Sequence, residues 1–372
     1  MDPQTQFCHN PECTARGQVG QGNIRIHSRK EQRYRCRTCG KTFAATAGTP
    51  LFRLHQTAEL MTLVLILLCH GCPIQAIVAA YGLDERTVSH WQAQAGAHSQ
   101  EVHQHLVAQG QVDLGHVQAD ELYVKVAKGR VWMAMALAVP SRLWLGGVLS
   151  PQRDLTLITT LVQMVRSCAR TTTLLVCVDG LSSYVTAFLR VFRHPIRTGK
   201  RGRPRLELAS GFLMAQVVKQ YAKRHIKSVV HRVVHGTAAA VTAALLASGG
   251  GTVINTAYIE RINATFRSAL TPLVRRGRAI AHKQATLHAG MWLGGTVYNF
   301  CWEHESLRLA APVDAGRKWR QRTPAMAAGL TDHRWTMREL LGYQIPLPPW
   351  VAPKRRGRPP KAAQPLAGAV AA

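Results

Sequence analysis

The sequence predicts an α/β fold from three observations. Three strand-like segments joined by short turns are typical of an antiparallel meander: HVQADELYVKVA, RVWMAMALAV and RLWLGGVLS. From Asp154 to Cys168, apolar residues recur at helical spacing. The run TLLVCV that follows is short and continuously apolar, which is typical of a buried parallel strand. Three hairpin strands, a crossover helix and a fourth strand ending at Asp179 therefore indicate a mixed sheet covered by helices.

This order of elements is the first half of a ribonuclease-H-like fold, and we expect such a core over residues 113–310, with a basic insertion near 194–210. Residues 1–50 contain two cysteine pairs and few apolar residues. Residues 51–112 have helical patterns and end in the polar run HSQEVHQHLVAQGQ, which is predicted to be a connector. Residues 311–372 are predicted to be a basic C-terminal tail.

The composition restricts the function. The 372 residues include 47 lysines and arginines against 19 acidic residues, a formal charge of +28. So much charge calls for a polyanion, and nucleic acid is the expected partner, with a membrane surface as the weaker alternative. Apolar residues make up 47%, which excludes a disordered basic tail.

The N-terminus lacks the apolar stretch of a signal peptide, and the longest apolar run, Leu60 to Cys69, is about half of what a bilayer requires. We therefore expect a cytoplasmic protein without a membrane partner.

Three separated carboxylates in this basic chain are the candidate catalytic residues. Asp120 lies within the first predicted strand, Asp179 ends the fourth, and Glu260 lies on a helix with an apolar stripe. In the predicted fold the two strands are neighbours, so both aspartates could reach one metal. Hard divalent cations prefer carboxylate oxygens, and two of them can position and neutralise a phosphodiester for phosphoryl transfer. The sequence thus predicts two Mg²⁺ or Mn²⁺ ions held by Asp120, Asp179 and Glu260.

Several neighbours of these carboxylates have other predicted roles. Glu121 should point to the opposite face of its strand and is the weaker candidate ligand. Asp154 is expected to cap its helix. Arg267 lies about two turns after Glu260 on the same helix face, where a cation could hold a phosphate.

Four cysteines near the N-terminus suit one structural zinc ion: Cys8, Cys13, Cys36 and Cys39. Glycine after Cys39 permits the tight turn of a zinc knuckle. A segment of about 50 residues without a large core needs such a metal to fold. His9 is an alternative ligand, Cys69 and Cys72 form a rival pair, and reduced unliganded thiols are the remaining interpretation.

The stretch CPIQAIVAAYGLDERTVSHWQAQAG predicts a helix-turn-helix, with Gly82 ending the first helix and Asp84 capping the second. The alternative is a helical hairpin that only packs. As a DNA-binding unit it would present four side chains to the major groove: Arg86, Ser89, His90 and Gln92.

Further basic residues extend the predicted DNA surface. Two segments contain Gly-Arg-Pro among cations and resemble AT-hooks, although a generic phosphate-binding run explains them equally well. The candidate residues in these segments and after the catalytic helix are Arg201, Arg203, Arg275, Arg276, Arg356 and Arg358. His231 and His235, in VVHRVVHG, are spaced like a metal pair on a helix, but the β-branched residues favour a strand or loop near DNA.

Four stretches carry a family resemblance: QRYRCRTCGKTF, QADELY, VDGLSSY and YIERINATFR, across about residues 8–302. The chain resembles DDE transposases of bacterial insertion sequences, most closely the insertion sequence one family with its two reading frames in one polypeptide. The resemblance implies a ribonuclease-H-like core, magnesium dependence and a nucleoid-associated protein that cleaves and joins DNA at element ends. It also implies that Asp120, Asp179 and Glu260 bind metal. Asn263 and Arg267 fall where that family has polar residues beside its glutamate. The spacing of Cys8 and Cys13 is longer than in the family pattern.

The expected function is therefore binding of double-stranded DNA, both element ends and target, followed by metal-dependent strand cleavage and strand transfer. Because two ends must be joined, we expect a homo-oligomer. Two rivals make different predictions. A zinc-ribbon and helix-turn-helix regulator would bind DNA without cutting it, and a ribonuclease-H-like nuclease would cut without joining.

Overall fold

The structure is a computed structural model that describes residues 1–127, 129–197, 199, 202–222, 225–274, 281–312, 316 and 318–352, with the side chain of residue 221 excepted. The chain divides into two compact units. Unit 1 comprises Met1–Ala47 together with Pro346–Ala372, and unit 2 comprises Gly48–Ile345.

Unit 1 contains a three-stranded antiparallel sheet with the order β1-β2-β3. Its strands are β1 (Ile24–Ser28), β2 (Arg33–Cys36) and β3 (Thr42–Ala44). The hydrophobic cluster beneath the sheet is small, and half of its buried members are cysteines: Cys8, Cys13, Ala15, Ile24, Tyr34 and Cys36. So small an apolar core contributes little to the free energy of folding. The stability of this unit therefore depends on what its cysteines bind.

Unit 2 is built on a mixed six-stranded sheet, which confirms the predicted α/β class. Its strands in chain order are β4 (His116–Val126), β5 (Gly129–Ala138), β6 (Leu143–Ser150), β7 (Leu174–Asp179), β10 (Phe212–Ala222) and β11 (His225–His235). They are arranged in the order β11-β10-β7-β4-β5-β6. The first three form an antiparallel meander, β7 is parallel to both β4 and β10, and β11 is an antiparallel edge strand.

Two short hairpins complete the strands. The first, within the segment predicted to be a basic loop, pairs β8 (Arg193–Ile196) with β9 (Arg205–Leu208). The second pairs β12 (His304–Ala310) with β13 (Trp319–Arg322).

Ten helices are present in the described part of the chain: α1 (Ala58–Cys69), α2 (Ile74–Tyr81), α3 (Glu85–Leu106), α4 (Leu155–Cys168), α5 (Ser182–Val191), α6 (Ala238–Ala247), α7 (Ala257–Ala269), α8 (Gln284–Phe300), α9 (Pro324–Ala327) and α10 (Met337–Gly342). Within the same residues, none of these helices combines the length and apolar character that a membrane crossing requires.

The helices bury both faces of the sheet. Odd-numbered residues of β4, such as Val117 and Ala119, belong to a core shared with α3, α4 and α5. Even-numbered residues, such as Leu122 and Val124, pack in a second core with α7 and α8. This alternation along β4 sends consecutive side chains towards different helices.

Local signals set several helix boundaries as the sequence predicts. Asp154 caps α4, since its side chain accepts a hydrogen bond from the Leu157 backbone at 2.9 Å. Asp84 caps α3 in the same way. α2 ends at Gly82, whose φ of +64° lies in the left-handed region that glycine tolerates best.

Two further segments, besides the predicted basic loop that contains the hairpin of β8 and β9, differ from their predictions. The polar run predicted to be a connector continues α3, because His98 and His103 are buried and hydrogen-bond to the carbonyl oxygens of Leu340 and Leu145. The beginning of the predicted tail carries β13, α9 and α10. Leu340 and Leu341 of α10 are fully buried in the core of unit 2.

Candidate metal centres and nucleic-acid contacts

The carboxylates of the acidic site meet where β7 ends beside the longer β4. The pairing of these strands stops at Ala119 and Val178, one residue before each aspartate. Asp120 and Glu121 therefore lie on β4 just beyond the last paired residues, and Asp179 ends β7 next to them. One oxygen from each of these three carboxylates lies within 4.8 Å of the other two. Such a cluster of oxygen donors fits a hard divalent cation.

The structure brings Glu121 into this group, whereas Glu260 lies outside it among the described residues. Alternation along the strand predicts that Glu121 turns away from Asp120 and is the weaker ligand. Its side chain does contact a different helix, since Tyr184 of α5 donates a hydrogen bond to its Oε2 at 2.7 Å. Glu121 still reaches the aspartates because the paired part of β7 ends here and no longer separates the two faces of the sheet.

Arg153, in the loop before α4, forms ion pairs with two of the acids. Its guanidinium donates closely to Glu121 and lies 3.4 Å from Oδ2 of Asp179. The guanidinium also lies 5.1 Å from the centre of the Trp132 ring, in a cation–π arrangement. Arg153 therefore supplies positive charge at the edge of the acidic site.

Glu260 is held beside the site by a cation. It lies on the first turn of α7 with its side chain 51% exposed, and its Oε1 lies 3.0 Å from Nζ of Lys219 on β10. Thr256 donates a hydrogen bond to the same oxygen at 3.2 Å. One turn further, the buried Asn263 donates from Nδ2 to Oδ2 of Asp120 at 2.7 Å. α7 is thus tied directly to β4 at the acidic site, and Arg267 lies partly buried further along the same helix.

The carboxylates of the site are close enough to raise one another's pKa values. Burial, together with the nearby carboxylates of Glu121, Asp179 and Glu260, raises the pKa of Asp120 to about 7. Burial also raises the pKa of Glu121, reinforced by Asp179 and opposed by Tyr184 and Arg153. A bound divalent cation would relieve this repulsion, so the donor set fits a metal.

Tyr184→Phe should destabilise the protein by about 1–3 kcal/mol, because Glu121 would lose a buried hydrogen-bond donor while the ring volume stays the same. Urea unfolding at pH 7 measures the change. Tyr123→Phe is the matched control, since the Tyr123 side chain on the adjoining stretch of β4 is 55% exposed. Equal free energies of unfolding for the two variants would show that the Tyr184 hydroxyl does not stabilise the buried acid.

The four N-terminal cysteines converge within unit 1. Cys8 and Cys39 have their sulfurs 3.6 Å apart, and those of Cys13 and Cys36 are 3.8 Å apart. All four sulfurs lie within 4.8 Å of one another. A tetrahedral zinc with Zn–S bonds of about 2.3 Å requires sulfurs about 3.8 Å apart, so this group could bind zinc. His9 lies outside the group and instead packs against the rings of Phe7 and Phe43.

The backbone around these cysteines also suits metal-bound thiolates. Backbone N–H groups two residues on, at Asn10, Ala15 and Lys41, donate towards the sulfurs of Cys8, Cys13 and Cys39. Burial raises the pKa of Cys8 and Cys13. At Cys39, burial is outweighed by the Lys41 N–H and the neighbouring thiols, and the pKa falls to about 7. Gly40, with φ of +71°, makes the turn that directs the Lys41 N–H back to the sulfur.

The predicted helix-turn-helix residues differ in placement. Arg86 and His90 are exposed on the first turns of α3, and Ser89 is partly buried between them. Gln92 is directed elsewhere, because its side chain lies against α8 near Gly290, with Oε1 buried. Arg86 and His90 therefore share a surface that Gln92 does not extend.

Most of the other predicted DNA contacts lie outside the described residues: Arg201, Arg275, Arg276, Arg356 and Arg358. Arg203 is described and is exposed just before β9. The predicted strand-or-loop segment with His231 and His235 is strand β11.

Three residues of the site are not predicted by any local sequence pattern. Arg153, Tyr184 and Lys219 are separated from their acidic partners by 32, 63 and 41 residues respectively. The motif VDGLSSY contains Tyr184 at a position five residues after Asp179, so a helix start after the strand could have directed attention to it. Lys219 lies in a segment that gave no recognisable pattern.

Comparison of the sequence with models of protein families and with curated proteins finds no match. The function is therefore inferred from features of the chain itself. These are an acidic cluster at a strand end, a four-cysteine group and a large positive charge.

Proposed function

We propose that the chain is a DDE-type transposase, which binds the ends of an insertion sequence and catalyses metal-dependent DNA cleavage and strand transfer. The observation that carries the proposal is the convergence of Asp120, Glu121 and Asp179 from neighbouring parallel strands in a chain of formal charge +28. An acidic site of this kind would repel DNA unless divalent cations occupied it. In a protein so basic, the site is therefore suited to metal-assisted phosphoryl transfer on a nucleic acid.

The topology of unit 2 supports a ribonuclease-H-like assignment. An antiparallel meander β4-β5-β6, the helix α4 and the parallel strand β7 beside β4 follow in the predicted order. Asp120 and Asp179 are then on adjacent strands, and α7 carries Glu260 to the same edge through the Asn263–Asp120 hydrogen bond. This is the arrangement expected for a triad on two strands and one helix.

The metal would be held by Asp120 and Asp179, with Glu121 or Glu260 as the third carboxylate. An ion pair between partly exposed groups such as Lys219 and Glu260 contributes only about 0–1 kcal/mol. The Glu260 carboxylate is therefore held weakly enough to leave Lys219 and bind a metal ion instead.

Bound Mg²⁺ or Mn²⁺ ions would activate the attacking water or DNA 3′-hydroxyl and neutralise charge on the phosphodiester. Asn263 would keep the Asp120 carboxylate oriented, and Arg153 would limit repulsion among the acids.

Unit 1 and the helices α2 and α3 would recognise DNA. Zinc held by the four cysteines would fold unit 1, and Arg86 and His90 would contact the DNA bound by the helix-turn-helix. Because two element ends must be brought together, the active form would be a homo-oligomer.

The proposal is tested with donor DNA that carries the sequences flanking the coding region, incubated with Mg²⁺ and a target plasmid. The wild type should nick the element ends and join them to the target. Asp120→Ala and Asp179→Ala should each remove both steps, and Glu260→Ala should greatly reduce them. Asp113→Ala is the matched control, because Asp113 is exposed, pairs with Arg170 and lies near the other end of β7.

The outcomes separate the rival functions. Cleavage without joining would indicate a nuclease, and tight binding without Mg²⁺-dependent cleavage would indicate a regulator. Near-wild-type activity of Asp120→Ala or Asp179→Ala would remove that residue from the catalytic set.

A further inference from the structure

The strands β10 and β11 continue past the sheet as a two-stranded arm. β10 pairs with β7 only from Phe212 to Val217, whereas its pairing with β11 continues to Ala222 and His225. In the described part of the chain, no third strand pairs with residues 218–222 or 225–230, which we call the arm. Five residues beyond Val217 extend about 17 Å at about 3.3 Å per residue.

The arm is basic and apolar at once. The arm contains Lys219 and Lys227 and no acidic residue, and the sequence has no acidic residue anywhere between Glu207 and Glu260. Three large apolar side chains of β11 are exposed, with Ile226 at 54%, Val229 at 46% and Val230 at 44%. A pair of strands with exposed apolar groups and no acidic residue of its own suits a partner that accepts both apolar and anionic contacts.

The base of the arm is fixed at the acidic site. Val217 is the register partner of Asp179, and the buried Gln216 donates from Nε2 to the carbonyl oxygen of Asp179 at 2.8 Å. Arg232 of β11 donates closely to Oε1 of the same glutamine. Lys219, the second residue after Val217, is the cation that pairs with Glu260. A molecule lying along the arm would therefore reach the carboxylates directly.

A second copy of the chain is the obvious alternative partner for an exposed edge strand, and the charges oppose it. β11 carries Lys227 and Arg232 over eleven residues with no acid, so antiparallel pairing with its own copy would bring cations together without a compensating acid. The same charges complement a phosphate backbone. The exposed side chains of Ile226, Val229 and Val230 near these cations could make apolar contacts with sugars and base edges.

We propose that the arm is a docking surface for the duplex DNA that flanks the bond to be cut, an inference that rests on the proposed function. At 3.4 Å per base pair, an arm of about 17 Å follows about five base pairs. A two-stranded ribbon of this kind fits the width of the major groove. Lys227 binds a phosphate, and Val229 lies against the DNA on the side that faces α7, since it is the register partner of Lys219.

The test measures binding of a 30-base-pair duplex end by fluorescence anisotropy in EDTA, so that no cleavage occurs. Lys227→Glu should weaken binding at least tenfold at low salt, and Lys227→Ala should reduce the slope of log affinity against log salt by about one. Arg170→Ala is the matched control, because Arg170 is an exposed cation close to the start of β7, at the opposite end from Asp179. Benzoylphenylalanine at position 229 should crosslink within about five base pairs of the cleavage site.

Lys227 is exposed, so its variants should fold and should keep the wild-type stabilisation by Mn²⁺. If the wild type cuts DNA but Lys227→Ala matches Arg170→Ala in affinity and slope, the arm proposal fails and the proposed function stands. If Ile226→Asp and Val230→Asp convert a dimer to a monomer without changing DNA affinity, the arm is a protein interface and the proposal is overturned. If the wild type neither binds nor cuts DNA, both proposals fail together.

Discussion

Asp120→Asn should stabilise the metal-free protein at neutral pH while removing its activity. The carboxylate of Asp120 is costly when ionised, because burial and the three neighbouring acids raise its pKa to about 7. An asparagine at this position carries no charge and can still bond to Asn263. We expect a gain of the order of 1–3 kcal/mol in the free energy of unfolding at pH 8 in EDTA. Under the proposed function, the activity should fall by more than about 10³-fold, since the proposed metal would lose a ligand.

The sign of the pH dependence follows from the two pKa values. An unfolded aspartate titrates near pH 4, and the folded one titrates at about pH 7. Between these values the folded state holds a proton that the unfolded state has released. The free energy of unfolding of the wild type therefore falls as pH rises from about 4 to about 7, and the loss is complete above that window. Asp120→Asn should lack this contribution at every pH.

Metal binding should follow the same titration in the opposite direction. A cation must displace the proton of Asp120, so affinity for Mn²⁺ should rise about tenfold per pH unit below pH 7 and level off above it. Urea unfolding at pH 5 and pH 8, with EDTA or with Mn²⁺, measures both effects. Asp113→Asn is the control, since Asp113 is exposed. Equal stabilisation by Mn²⁺ in the wild type and in Asp120→Asn would exclude Asp120 as a ligand.

The order of strands and helices around the acidic site could be predicted because its signals are local. Alternating segments, a helical repeat after Asp154 and one continuous apolar run are enough to place β4 to β7 and α4. The direction of Asp120 also follows from alternation along one strand. The extent of α3 could not be predicted in this way. Its buried residues His98 and His103 hydrogen-bond to the carbonyl oxygens of Leu340 and Leu145, which lie 242 and 42 residues away in the sequence.

The composition of the acidic site depended on information that no local pattern contains. Glu121 joins the aspartates because the paired part of β7 stops beside it, and the sequence does not state where a neighbouring strand ends. Glu260 lies outside the cluster and pairs with Lys219, and β10, which carries that lysine, had no recognisable pattern in the sequence. The four-cysteine group, in contrast, could be predicted because its signal is local in the sequence. Only sulfur at suitable spacing was needed to predict it.

Cys36→Ser should unfold unit 1 and leave unit 2 folded. The apolar core of unit 1 contains few residues besides its cysteines, so the binding energy of zinc, about 10–16 kcal/mol in small zinc domains, would provide most of its folding energy. Unit 2 has its own cores on both faces of the sheet and should keep its unfolding transition. Hydrogen exchange over residues 1–47 should then be fast in the variant and slow in the wild type.

Zinc content makes the same prediction quantitative and also tests the rival cysteine pair. Elemental analysis should give one zinc per wild-type chain and almost none for Cys36→Ser. Cys72→Ser is the matched control, because Cys72 is a partly buried cysteine outside the four-cysteine group and should keep the full zinc content. If Cys36→Ser retains one zinc, or if the zinc-free wild type protects residues 1–47 from exchange, the metal does not fold this unit. Loss of zinc in Cys72→Ser alone would instead place the metal at the Cys69–Cys72 pair.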